Sequence, residues 1–77
     1  MSVYEEFRRS VARVTRTAEQ DIKPEILLKD IKADSFHWVQ IFVALETALD
    51  VELDVDESVM KKLETVDDFV KYIEKMQ

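Results

Sequence analysis

Ala33-Asp34-Ser35-Phe36-His37-Trp38-Val39-Gln40-Ile41-Phe42-Val43-Ala44-Leu45-Glu46-Thr47-Ala48-Leu49 is the most apolar run of the chain, and its reading decides the fold. Trp38, Ile41, Phe42, Leu45 and Leu49 recur at helical spacing and make one stripe. Phe36, Val39 and Val43 make a second stripe beside it. A helix apolar over so much of its surface is either buried all round or carries a core face and a docking face. A 77-residue chain has too little mass to bury it all round, so the expectation is core plus docking. The helix should run from Ser35 to Leu49; by local chemistry alone Ser35 would read as its N-cap, with Asp34 as a second capping carboxylate, a reading that competes with an exposed, modifiable hydroxyl.

The rest of the chain reads outward from this helix. Ser2 and Glu5 have capping-box spacing, and Val3, Phe7, Val11, Val14 and Ala18 follow at helical intervals, predicting a first helix over 3–18. Residues 19–34 form a long connection in which Pro24 opposes a continuous helix. Its Ile22, Ile26, Leu27, Leu28 and Ile31 are too many apolar groups for a solvated loop, so it should lie on the core, with a short helical turn at 24–28. Val51-Glu52-Leu53-Asp54-Val55-Asp56 alternates like a strand, but a lone strand has no partner in a helical chain. Asp54 with Glu57 predicts the cap of a short third helix over 56–63 that buries Val59 and Leu63. Thr65 with Asp68 predicts the cap of a last helix over 66–76, with Phe69, Val70, Tyr72, Ile73 and Met76 inward. The expected architecture is all-α: one domain over 1–77, a small four-helix bundle with a short third helix and a long loop between the first two.

Composition excludes several functions. The net charge is −6, and residues 21–77 hold seven lysines against 14 acids, so nucleic-acid phosphates are repelled and basic partner surfaces are attracted. No apolar run approaches the roughly 18 residues of a membrane span, and the first residues carry no signal-peptide pattern. The chain has no cysteine, which fits the cytoplasm, and a monomer without membrane insertion is expected. An amphipathic membrane-surface role suits Arg8, Arg9, Arg13 and Arg16 poorly when the rest of the chain is acidic. These arginines are expected in solvent, with Glu5 pairing to Arg9.

Candidate chemistry gathers around Ser35. A hydroxyl at the start of a long helix meets unpaired backbone N–H groups and a partial positive charge, which suits a phosphate ester. His37 invites a Ser–His nucleophile reading, but residues two apart on a helix point to different sides, and there is neither a second histidine nor a cysteine. A hydrolase is therefore not expected, and neither a catalytic residue nor a metal site is assigned. Glu52, Asp54, Asp56 and Glu57 lack the glycine and the register of a calcium loop and read as a solvated acidic surface.

Ala33-Asp34-Ser35, Val39, Val43-Ala44-Leu45-Glu46 and the closing Thr65-Val66-Asp67-Asp68-Phe69-Val70-Lys71-Tyr72-Ile73-Glu74 resemble, in order and spacing, the acyl carrier protein family. That resemblance implies 4′-phosphopantetheine carried covalently on Ser35, with Asp34 supporting the modification. It implies a phosphopantetheinyl transferase and acyl-transferring or acyl-activating enzymes with basic docking surfaces as partners. Docking would use Phe36, His37, Val39, Gln40, Val43 and Glu46. The acyl chain would fold against Trp38, Phe42, Leu45 and Ile73, with Trp38 narrowing the entrance toward short or shallowly bound cargo. His37 stands where the family often has an acid and would gain charge below about pH 6.5. Lys32 stands where a glycine is usual, Phe36 where a leucine is, and Gln40, Thr47 and Ala48 where fatty-acid carriers commonly have Glu, so a specialised carrier with dedicated partners is implied. The alternative is an unmodified helical interaction module that uses Phe36, Val39 and Val43 as a contact surface.

Overall fold

The computed structural model describes residues 2–76, one residue short of the expected domain at each end. Four α-helices form the bundle: α1 (Val3–Thr15), α2 (Ser35–Leu49), α3 (Glu57–Lys62) and α4 (Val66–Glu74). Among the described residues there is no strand, only a single antiparallel bridge between Leu27 and Thr65. α1 packs on α2 and on α4. The core holds Phe7 and Val11 of α1, Ile41 and Leu45 of α2, and Val66, Phe69 and Ile73 of α4, all fully buried.

α1 begins where its spacing predicts, with Ser2 Oγ accepting from Glu5 N at 3.0 Å. It ends three residues early. Thr15 Oγ1 donates to Val11 O at 2.7 Å, and Arg16 turns into the left-handed region at φ 58°. Side-chain bonds of this kind compete with the helical ladder, and the left-handed residue closes it. Ala18 is therefore exposed rather than part of the core stripe.

The ion pair of α1 is also corrected by one residue. Glu6, not Glu5, pairs with Arg9, at 3.0 Å, because α1 turns Glu6 onto the buried face beside Phe7 and Ser10. A carboxylate taken from water needs such a partner. Arg8 is not free in solvent either: its guanidinium donates to Glu19 O and lies 5.2 Å from the centre of the Tyr4 ring. Tyr4 Oη donates to Ile22 O at 2.9 Å, so α1 holds the start of the long connection at two points.

That connection lies on the core as expected, with Ile22, Leu28 and Ile31 buried and Ile26 and Leu27 half-buried. Its helical turns fall at Glu19–Asp21 and Leu28–Asp30, not at 24–28. The reason is tertiary. Leu28 N donates to Glu64 O, Val66 N to Ile26 O and Asp67 N to Pro24 O, at 2.7–2.9 Å. The Pro24 and Ile26 carbonyls, which a local helix at 24–28 would need, instead accept the first N–H groups of α4, which have no partner within their own helix.

α2 matches its predicted span and ends at Asp50, left-handed at φ 54°. Residues 51–55 run extended with Val51, Leu53 and Val55 half-buried and Glu52 and Asp54 exposed, so the alternation describes a segment laid on the core without a strand partner. α3 is shorter than expected and capped by Asp56 rather than Asp54. The Asp56 carboxylate accepts from Val59 N at 3.0 Å and from Ser58 Oγ at 2.7 Å. These hydrogen bonds hold it below the usual carboxylate range. Val59 and Leu63 reach only half burial. α4 carries the predicted Thr65–Asp68 capping box. α4 ends at Glu74, two residues short of its predicted span, and Met76 beyond it is exposed, while Val66, not counted among the inward residues, is fully buried.

Candidate functional site

The N-terminus of α2 is built by Asp34, Ser35 and His37. Asp34 is the N-cap: its Oδ1 accepts from His37 N at 2.9 Å, and its own N–H donates to His37 Nδ1 at 3.3 Å. Ser35 is therefore the first helical residue and not the cap, so the plain capping reading of its hydroxyl does not hold. The carboxylate does the capping, and the Ser35 hydroxyl is left exposed beside the open N–H groups of α2. The approach to this point is tight, with Ala33 N donating to Ile31 O at 2.8 Å. Positive φ among non-glycine residues occurs only at Arg16 and Asp50 within the described span, so the backbone at Lys32 has no need of a glycine.

His37 is half-exposed and directed back to Asp34, with Nδ1 3.4 Å from Asp34 Oδ1. The imidazole is thus occupied in the cap rather than acting on the Ser35 hydroxyl, and its side chain stays partly exposed. Among the described residues no three His, Cys, Asp or Glu side chains converge as a metal site.

Behind Ser35 the outer face of α2 is apolar and open. Phe36, Val39 and Val43 are 66%, 57% and 54% exposed and lie on one stripe, while Gln40 is exposed beside them. Glu46 differs from its neighbours on this face. It is half-buried, and its Oε2 accepts from Leu53 N at 3.0 Å, tying the extended segment to α2.

The inner face of α2 meets a cluster of four rings. Phe7 and Phe69 have ring centres 5.0 Å apart, and Trp38 lies 6.3 Å from Phe7, 6.2 Å from Phe69 and 5.9 Å from Phe42. Trp38 is half-buried because its other side walls a groove of about 580 Å³. That groove is lined by Leu27, Leu28 and Lys29 of the connection, by Glu57, Met60 and Lys61 of α3, and by Leu63 and Glu64. Of the four residues expected to receive an acyl chain, only Trp38 lines this groove. Phe42 sits in the ring cluster, and Leu45 and Ile73 are fully buried in the core. The groove-lining Leu27, Met60 and Leu63 were legible in the sequence only as apolar residues, since three separate segments have to meet to form the groove.

Residues 5–73 match the family described as "Phosphopantetheine attachment site". The chain is 32% identical over 78 residues to the acyl carrier protein of Campylobacter lari, covering 100% of this chain and 99% of that one. It is 35% identical over 77 residues to the acyl carrier protein of Campylobacter concisus, covering 99% and 97% of the two chains. The acyl carrier protein of Desulforapulum autotrophicum is 32% identical over 77 residues, 97% of each.

Proposed function

The chain belongs to the acyl carrier proteins, the family of the phosphopantetheine attachment site, and from that premise we propose that Ser35 bears the arm. As a member of a carrier family it is not a catalyst. The bound group supplies a thiol that holds acyl cargo as a thioester. The chain's own residues supply the rest. One observation carries the assignment to Ser35: Asp34 takes over the capping of α2, so the exposed hydroxyl is uncommitted at the positive end of a 15-residue helix. A phosphodiester there is stabilised by the helix dipole and by unpaired N–H groups. Asp34 remains largely exposed and can help a phosphopantetheinyl transferase to align the hydroxyl.

Enzymes that load or use the cargo dock on Phe36, Val39, Gln40 and Val43. The net charge of −6 draws basic partner surfaces toward this face, and Asp34 contributes local charge to it. Glu46 contributes less than its charge suggests, because its carboxylate is occupied by Leu53 N. The setting is a cytoplasmic monomer in fatty-acid, polyketide or other specialised acyl metabolism. The competing reading, an unmodified interaction module, is favoured by the same apolar stripe, which can bind a partner helix with or without an arm.

Intact mass after coexpression with a phosphopantetheinyl transferase tests the assignment. The wild type gains the mass of the arm and Ser35→Ala does not. A gain in both proteins moves the attachment elsewhere, and no gain with several transferases leaves the interaction module.

A further inference from the structure

We propose that Trp38 is a specificity-determining plug: it closes the bundle interior to long alkyl chains and leaves the tethered cargo the shallow groove on its outer side. This inference rests on the reading of Ser35 as the attachment point. Phe7 and Phe69 are fully buried, and Phe42 stacks 5.9 Å from Phe69 with the ring planes 7° apart. Trp38 closes this group on the side facing the groove, in contact distance of all three rings. An interior packed to native density has no room for an alkyl chain unless a ring moves out.

Trp38 is the ring that would have to move. Phe7 and Phe69 are enclosed, and Phe42 is half-buried like Trp38, but of the four rings only Trp38 lines the groove and forms its boundary with the cluster. It is also three residues from Ser35, so its side chain lies one helical turn from the attachment hydroxyl. Cargo reaching back from Ser35 meets the indole first. Outside it, the groove offers Leu28, Met60 and Leu63 beside the charged Lys29, Glu57 and Lys61. Its apolar part is small and its edges are charged. A short acyl group can cover that apolar part, and a long one must trail into water.

The test uses the full chain charged at Ser35 by a phosphopantetheinyl transferase from butanoyl-, octanoyl- and dodecanoyl-coenzyme A, with loading verified by intact mass. Each methylene taken out of water is worth roughly fourfold in an in–out equilibrium, so a chain that enters the core must raise stability steeply with length. The wild type is expected to melt within about 2 °C across the three cargoes, with Trp38 fluorescence unchanged. Trp38→Leu, which keeps an apolar side chain but opens the boundary, should gain about 5 °C or more from butanoyl to dodecanoyl. Trp38→Phe, a smaller ring that preserves folding, should fall between them. A wild-type melting temperature that climbs with chain length overturns the inference, as does a length-independent Trp38→Leu. Failure of any cargo to add mass overturns the attachment reading itself, and is distinguished from the other results by the mass spectrum.

Discussion

Asp34 caps α2 and is proposed to assist modification of Ser35, and substitution can separate the two. Its carboxylate accepts from His37 N at 2.9 Å, and this orientation lets His37 Nδ1 accept from Asp34 N at 3.3 Å. Asp34→Ala removes the first bond and the anchor for the second. Loss of an N-cap costs about 1 kcal/mol, within a range of roughly 0.5–2. The charge at the helix start contributes about 0.3–1 kcal/mol within the same neighbourhood. For a domain of this size, about 1 kcal/mol lowers the melting temperature by roughly 4–8 °C. Asp34→Ala should therefore melt about 5–10 °C below the wild type, whereas Asp34→Asn and Asp34→Ser keep a capping oxygen and should lose about 2–4 °C. Thermal melts followed by circular dichroism give these values, and intact-mass time courses give modification rates on the same samples. Asp34→Asn should be modified more slowly than its small loss of stability explains, because it has lost the charge. An Asp34→Ala protein that melts within about 2 °C of the wild type would refute the capping argument.

Two further outcomes follow from the packing and the titrating groups. Phe69 is fully buried against three rings, so Phe69→Ala should cost about 3–5 kcal/mol. That is a large share of the roughly 4–12 kcal/mol a chain of this length has. Phe69→Leu should lower the urea midpoint by an amount worth about 1–2 kcal/mol, and a shift below about 0.5 kcal/mol would count against a packed ring cluster. Asp68 accepts from Thr65 N at 3.1 Å and Glu64 N at 3.2 Å, and these backbone donors hold its carboxyl below the usual range. A depressed carboxylate contributes stability that is present above its unfolded value and lost as pH falls through its folded value. Melts taken from about pH 5 down to about pH 2.5 should thus show a steeper loss for the wild type than for Asp68→Asn, and identical profiles would discount the contribution.

The helices whose signals are local were legible in the sequence. α2 is framed by an acidic cap and a dense apolar run, and α4 by Thr65 and Asp68 at capping-box spacing; both start where those residues predict. What escaped depends on distant partners. The turn expected at 24–28 is absent because Pro24, Ile26 and Leu28 bond to residues 64–67, a pairing that no local periodicity records. Glu46 looks like a free docking charge until Leu53 N is seen to reach it. Asp34 and Ser35 could exchange the capping role on sequence alone, because both residue types cap well, and the fold chose the carboxylate. The groove required residues 27–29, Trp38 and 57–64 to converge, which the pattern of apolar residues could not foretell.

The main-chain bonds between residues 24–28 and 64–67 have a consequence for dissecting the molecule. The strand of polypeptide that delivers Ser35 to its helix is moored to the entry of the final helix, not only to its sequence neighbours. A shortened chain stopping before Thr65 would retain every residue of the modification motif and still lose the mooring, along with the Phe69 ring beneath it. The entry of the final helix thus helps to set how the middle of the chain is presented.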